Sequence, residues 1–381
     1  MDFSFTPEQE QFRKEVRAFA ERTLAPHNAA DDRAARMRPE LPAQLAGMGL
    51  TGLRAPDELG GQGASATDVG LATEEVARAS FSACYLIIND ALITEILLNA
   101  ATPRQQARWL PPIADGSAIP GVLLTEPEHG SDAAALTVRA ERDGDGWRLH
   151  GEKTSVSLGT YANCGVVFAR TAGRGAHGVS AFMAELDDRY ISRSEFDDLG
   201  NRSIGRASIF FDGLPVPADG LLGGEGQGFT EVMRGFDYSR ALIGLACLGT
   251  ASAALDDAIG YARQRTAFGA PIGSFQGVAF PLAESATYLK AARHVCYEAL
   301  WRKDNQLDHT AEANMAKWWA PRLSTEIIHQ ALLTFGHAGY ASENPQGQRL
   351  RDVIGLEIGD GTAQIAKLVV ARKLLGRAFA P

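Results

Sequence analysis

The apolar pattern of this 381-residue chain changes period twice, and no fold built from one kind of element accommodates both changes. At the start, Thr6-Pro7-Glu8-Gln9 supplies an N-cap, a first-turn proline and a capping-box glutamine. Phe12, Val16, Phe19 and Ala20 then recur at helical spacing, and Pro26 is expected to stop the helix. Residues 42–118 continue largely helical, interrupted by the turn-rich segment 57–63. Residues 80–98 are apolar except for Asn89, Asp90 and Glu95. From about residue 119 the runs become short and β-type, at 147–151, 165–169 and 208–211, with glycine and aspartate turns between them. After residue 229 long helical patterns return. Residues 240–262, rich in alanine, glycine and leucine, favour close helix packing, and Ile365, Leu368, Val369 and Arg372 fall near one face of the last helix. The expected organisation is an α domain over 1–118, a β domain over 119–228 and a second α domain over 229–381.

Composition limits the function classes. With 45% hydrophobic and 22% charged residues, disordered and fibrous classes drop out. A net charge of −9 without a basic stripe argues against nucleic acid. Cys84, Cys164, Cys247 and Cys296 match no metal spacing, so no metal is expected and they read as reduced packing residues. Asp2, Glu8 and Glu10 precede any basic residue, which suits neither a signal nor a transit peptide. No run approaches the ~18 apolar residues that a bilayer span requires, so no span is expected. A cytoplasmic protein without a membrane partner is expected. The glycine-rich segment 221–228 is not a dinucleotide fingerprint, because no strand–turn–helix unit surrounds it.

Six separated blocks carry more. They are Ala55–Gly63 (APDELGGQG), Thr125–Asp132 (TEPEHGSD), Gly151-Glu152-Lys153, Val216-Pro217 with Leu221-Leu222-Gly223, Arg263–Ile272 (RQRTAFGAPI) and Gly359–Ile365 (GDGTAQI). Together, in this order, they resemble the acyl-CoA dehydrogenase family over essentially the whole chain. The resemblance implies an α+β, mostly α fold, with an N-terminal helical domain, a middle β-barrel and a C-terminal four-helix bundle. It implies FAD as cofactor, an acyl-CoA substrate, electron-transfer flavoprotein as acceptor and a homotetramer.

The same resemblance assigns residues. Val122, Leu124, Thr125, Ser131, Ser155 and Ser157 would hold the flavin, with Ser157 near its N5. Arg265 and Phe268 would reach the FAD of a partner subunit, and Gly336, Thr362 and Gln364 would complete the cofactor site. Ser131, Phe236, Asp237, Arg240 and Gly361 would bind the thioester. Read without the family, Thr125 is a strand-end turn residue, Asp237 an N-cap, and Arg240 and Arg265 ordinary helix charges.

Asp360 is the decisive position. Most relatives have a glutamate there, which removes the proton beside the thioester carbonyl. Aspartate keeps the carboxylate but shortens the arm by roughly 1.5 Å. The competing reading makes Asp360 the N-cap of the apolar helical run that follows, which would lower its pKa where a base needs it raised. Glu357 is the fallback base. Ser239 occupies the position that bears the base in some relatives. Asp90 is the second unusual acid, expected on the floor of the acyl pocket as a second catalytic group or as a polar wall. Asp360, Asp90 and the stretch 151–155 resemble the cyclohexane-carboxyl-CoA dehydrogenase subgroup. Ser155 and Gly359, where a tryptophan and a tyrosine are common, also leave room for a cyclic acyl group. A flavin oxidase of the same fold, resembling nitroalkane oxidase, and a dehydrogenase acting on a carrier-protein thioester remain open.

Overall fold

The computed structural model describes residues 4–380, without the side chains of 231–234. Helix α1 (Pro7–Phe19) opens on the expected capping box, in which Thr6 Oγ1 accepts from the Gln9 N–H and the Gln9 side chain accepts from the Thr6 N–H. Pro26 does not end the helical path. A π-turn (Ala20–Leu24) leads straight into α2 (Ala25–Ala34), and Pro26 sits in the first turn of α2, where its missing N–H costs no hydrogen bond. Helices α3 (Leu41–Gly47), α4 (Ala66–Ala79), α5 (Phe81–Ala100) and α6 (Pro103–Ala114) complete the first part.

Eight strands follow: β1 (Pro120–Leu123), β2 (Arg139–Asp143), β3 (Gly146–Val156), β4 (Cys164–Arg170), β5 (Val179–Glu185), β6 (Ile191–Glu195), β7 (Ala207–Val216) and β8 (Leu221–Leu222). They form one sheet in the order β6-β7-β3-β2-β4-β5-β8, with β1 added in parallel to β4. Among the described residues the path runs from β6 to β8 and makes the β domain expected between the two helical parts.

The last part begins with α7 (Gly228–Gln264), followed by a small hairpin of β9 (Thr266–Ala267) and β10 (Ala270–Pro271). Helices α8 (Gln276–Asp304), α9 (Thr310–Phe335), α10 (Pro345–Ile354) and α11 (Ala363–Leu375) follow. Helix α9 packs against α7, α8 and α11 to make the bundle.

Helix α5 is apolar on nearly every side because most of it is covered by other elements. Phe81, Cys84, Leu86 and Ile87 join the core shared with the bundle, whereas Ile93, Ile96 and Leu97 join the core under the sheet. Here the sequence reading needs correction, since α5 and α7 are each long and apolar enough by composition to cross a membrane. Both are 78% buried inside the protein over their most apolar windows, as expected of central core helices.

The small residues of α7 allow the close approach their composition suggested. A Cβ added at Gly249 would stand 2.2 Å from the Glu74 carbonyl oxygen of α4. Backbone cannot swing aside as a side chain can, so Gly249→Ala must separate the two helices. The expected loss is about 1–3 kcal/mol of stability, read as a lower urea midpoint. A wild-type midpoint would mean that this crossing yields freely.

Candidate active site

The three parts meet at a cleft of roughly 690 Å3, its open mouth included. Helix α5 supplies one wall through Phe81, Tyr85, Ile88, Asn89 and Leu92. These positions recur on one helical face. Asn89 donates its amide N–H to the Pro120 carbonyl and so ties α5 to β1. The neighbouring Asp90 is turned about 100° away by the helical repeat and does not line the cleft. The expected pocket acid is therefore corrected to a pocket amide. Asp90 is buried, its Oδ1 has no hydrogen-bond partner among the described residues, and desolvation pushes its carboxyl well above the usual range.

The second wall comes from two strand ends. Val122 lies in β1 with Leu124 and Thr125 just beyond it, while Thr154 and Ser155 lie at the end of β3 with Ser157 just beyond it. The ends are joined by the Thr154 N–H donating to the Thr125 carbonyl (2.8 Å) and by Lys153. Lys153 is fully buried, and its ammonium donates to the Leu124 carbonyl and to Glu126 Oε1, both at 2.8 Å. The other donors to Glu126 are the Thr137 N–H and hydroxyl and the Val138 N–H. Burial lowers Lys153 to about 8, against the pull of Glu126. Burial raises Glu126, but Lys153 and the two N–H groups overcome it and hold that carboxyl below its ordinary value. Sequence motifs contained both residues without revealing their pairing. Ser155, at a φ of 57°, accepts from the Arg206 guanidinium at 3.0 Å, and Arg206 is itself paired with Asp198.

The third wall is α7, through Phe236, Ile243 and Ala246, together with Leu356 and Asp360 from the segment before α11. Asp360 is the only acid among the described residues lining the cleft. Burial raises its carboxyl above the ordinary value, while Lys317 and then Arg240 oppose the rise. It adopts a left-handed backbone, with a φ of 54°. The capping conflict disappears, because Thr362 caps α11 by accepting from the Ile365 N–H. Glu357 does not line the cleft and accepts from the Thr325 hydroxyl at 2.9 Å. The Ser239 hydroxyl donates to the Phe236 carbonyl.

Of the remaining expected residues, Asp237 and Arg240 pair with each other at 2.9 Å, and the Gly361 carbonyl accepts from Lys317. Ser131, Arg265, Gly336 and Gln364 are exposed on this chain, and Phe268 is 97% exposed on the β9–β10 hairpin. None of these lines the cleft. Tyr85 and Lys317 escaped the sequence reading. Both lie inside ordinary-looking helical runs, and only the packing brings them to Asp360.

The order of parts, helices then sheet then helices around one cleft, coincides with three family profiles. The N-terminal domain of acyl-CoA dehydrogenase matches residues 6–117, the middle domain 121–214 and the C-terminal domain 226–375. The chain belongs to the acyl-CoA dehydrogenase family. A mitochondrial short-chain specific acyl-CoA dehydrogenase of Bos taurus is 37% identical, over 97% of this chain and 90% of the relative. The structure of butyryl-CoA dehydrogenase from Megasphaera elsdenii superposes with a TM-score of 0.95 at 31% identity, covering 98% of this chain and 100% of the other. A prolyl acyl carrier protein oxidase superposes with a TM-score of 0.94 at 28% identity, over 98% and 100% of the two chains.

Acyl-CoA dehydrogenases are FAD-dependent oxidoreductases, and this chain is one of them. The cleft fits the cofactor. Neutral hydroxyls of Thr125, Thr154, Ser155 and Ser157 stand beside apolar Val122 and Leu124, a donor set suited to an uncharged heteroaromatic ring. In this dehydrogenase Lys153 keeps the two strand ends together, so removing it leaves the Glu126 charge buried without its counter-ion. Lys153→Met is expected to lose about 3–5 kcal/mol in urea unfolding. Stability within a few tenths of a kcal/mol of wild type would show that the pair does not hold the wall.

Proposed function

We propose that this acyl-CoA dehydrogenase acts on a cyclic or branched acyl-CoA, with cyclohexane-1-carboxyl-CoA the leading candidate, and that Asp360 removes the α-proton. The observation that carries the assignment of the base is that the half-buried carboxyl of Asp360 is the only one among the described residues lining the cleft, with its pKa raised above the ordinary value by burial. FAD, when bound, supplies the acceptor for the hydride that leaves the β-carbon.

The chain's own residues divide the remaining work. Asp360 takes the proton at one of its carboxylate oxygens, and its raised pKa makes it a stronger base than a hydrated aspartate. Val122, Leu124, Thr125, Ser155 and Ser157 would hold the flavin ring, and Phe236 the substrate beside it. Arg240, whose charge is shared with Asp237, would sit toward the thioester's nucleotide end together with Gly361. Arg265, Phe268, Gly336 and Gln364, all exposed here, would meet FAD across a subunit interface of a homotetramer, with Ser131 and Thr362 near the cofactor. Electron-transfer flavoprotein would accept the electrons, in the cytoplasm.

A cyclic acyl group suits a cleft lined by Ser155, where relatives commonly carry a tryptophan, and by the aromatic Phe81 and Tyr85 of α5, whereas Gly359 lies outside the lining. A compact, puckered ring fills the space between such walls, while a long thin chain leaves them unfilled. The wall lacks the second acid once expected of Asp90, which favours a single elimination. Similarity to a prolyl acyl carrier protein oxidase supports a second reading, in which a cyclic acyl group arrives on a carrier protein.

Anaerobic titration with cyclohexane-1-carboxyl-CoA is expected to bleach the flavin's visible band faster than a linear acyl-CoA of similar size. The reverse order would end the cyclic assignment and leave the dehydrogenase standing. Bleaching by neither would favour the carrier-protein reading. Asp360→Asn is expected to slow flavin reduction by about 100- to 10,000-fold. The wild-type rate should fall as pH drops through a limb lying above the ~3.9 of an ordinary aspartate, because only the ionised form accepts the proton.

A further inference from the structure

Lys317 lies on α9, is 1% exposed, and stands 44 positions from Gly361 in sequence. Its ammonium donates to the Leu356 carbonyl at 2.7 Å and to the Gly361 carbonyl at 2.9 Å. These two acceptors bracket the short segment that carries Asp360. Two carbonyl dipoles satisfy two of the three N–H groups of a lysine but do not neutralise its charge. Burying such a charge is costly unless an acid answers it.

We propose that Lys317 is a positioning residue for Asp360, tying both ends of the segment that carries it and keeping a positive charge behind its carboxylate. The proposal rests on the reading of Asp360 as the base. The groups that face this pair come from several elements. Glu357 belongs to the same segment, but its Oε1 accepts from Thr325. Arg240 and Cys247 come from α7, and Tyr85 from α5. Arg240 shares its charge with Asp237, and burial keeps the Cys247 thiol and the Tyr85 phenol neutral. Lys317 is therefore the cation whose charge falls chiefly to Asp360.

Two effects follow. The clamp fixes the reach of a short base, for which a misplacement of about 1 Å costs as much as 100-fold in rate. The charge limits how far burial raises Asp360, since a nearby cation favours the ionised form. Burial lowers Lys317 itself to about 8, so the ammonium persists at neutral pH.

The experiment compares Lys317→Met, Lys317→Gln and Asp360→Asn in the FAD-loaded enzyme, with the acyl-CoA that best bleaches the wild type. It measures the limiting rate of flavin reduction, the half-saturating thioester concentration, the pH limb, and amide hydrogen exchange over residues 356–361. Lys317→Met should slow the limiting rate by about 10- to 100-fold and leave half-saturation within twofold. Its limb should move to higher pH, and exchange in the segment should quicken. Lys317→Gln, which retains amide donors but no charge, should regain part of the rate with the limb still displaced.

A wild-type rate and limb in Lys317→Met, beside an inactive Asp360→Asn, overturns the positioning role and leaves the base intact. An active Asp360→Asn overturns the base itself. If Lys317→Met does not fold, Lys317→Gln decides, because a wild-type limb with wild-type exchange overturns the proposal.

Discussion

Helix α5 is apolar on nearly every side and leaves little of itself to water, and the architecture answers to that constraint. A 20-residue helix that is apolar on every side is stable only when separate bodies cover it at once. The bundle covers its first half, the sheet covers its second, and the remaining stripe is the wall of the cleft. The site is therefore the seam along which α5 is not fully covered by its own chain. The Asn89 bond to Pro120 fixes where the seam runs, by registering the helix against β1.

The two buried lysines have related roles at opposite walls of that seam. Lys153 draws two strand ends together through a carbonyl and a carboxylate, and Lys317 draws together the ends of the segment bearing Asp360. In both cases one ammonium supplies two hydrogen bonds from one point, at least one of them to a backbone carbonyl outside any α-helix or β-strand. Irregular backbone gains rigidity this way where helix or sheet ladders cannot reach. The flexible part of a lysine is its stem, and here the stem is immobilised by burial.

The α–β–α order was legible because the apolar period itself changes, and the cleft-lining strand ends were legible because they carry motifs. Asp360 was legible as a carboxylate but not as a free one, since Asp360 and Thr362 both qualify as caps and only the backbone shows that Thr362 does the capping. Asp90 misled because a helix places neighbouring residues about 100° apart, and a sequence cannot say whether 89 or 90 faces inward. Pro26 misled because a proline that ends one helix and a proline that begins the next look alike. Lys317 had no signal, as its partners are backbone carbonyls of a distant segment and carbonyls leave no trace in residue identity.

The left-handed backbone at Asp360 has a consequence for which acid the position tolerates. Aspartate and asparagine enter this conformation several-fold more often than most residues with side chains. Here the conformation is fixed from outside, by the clamp on the flanking carbonyls, so the segment cannot relax to suit a newcomer. A longer acid gains reach toward the substrate while giving up conformational ease, and a β-branched residue loses on both counts. The backbone thus favours a short carboxylate where reach alone would favour a longer one. Drift at this position is narrower than the reaction alone requires.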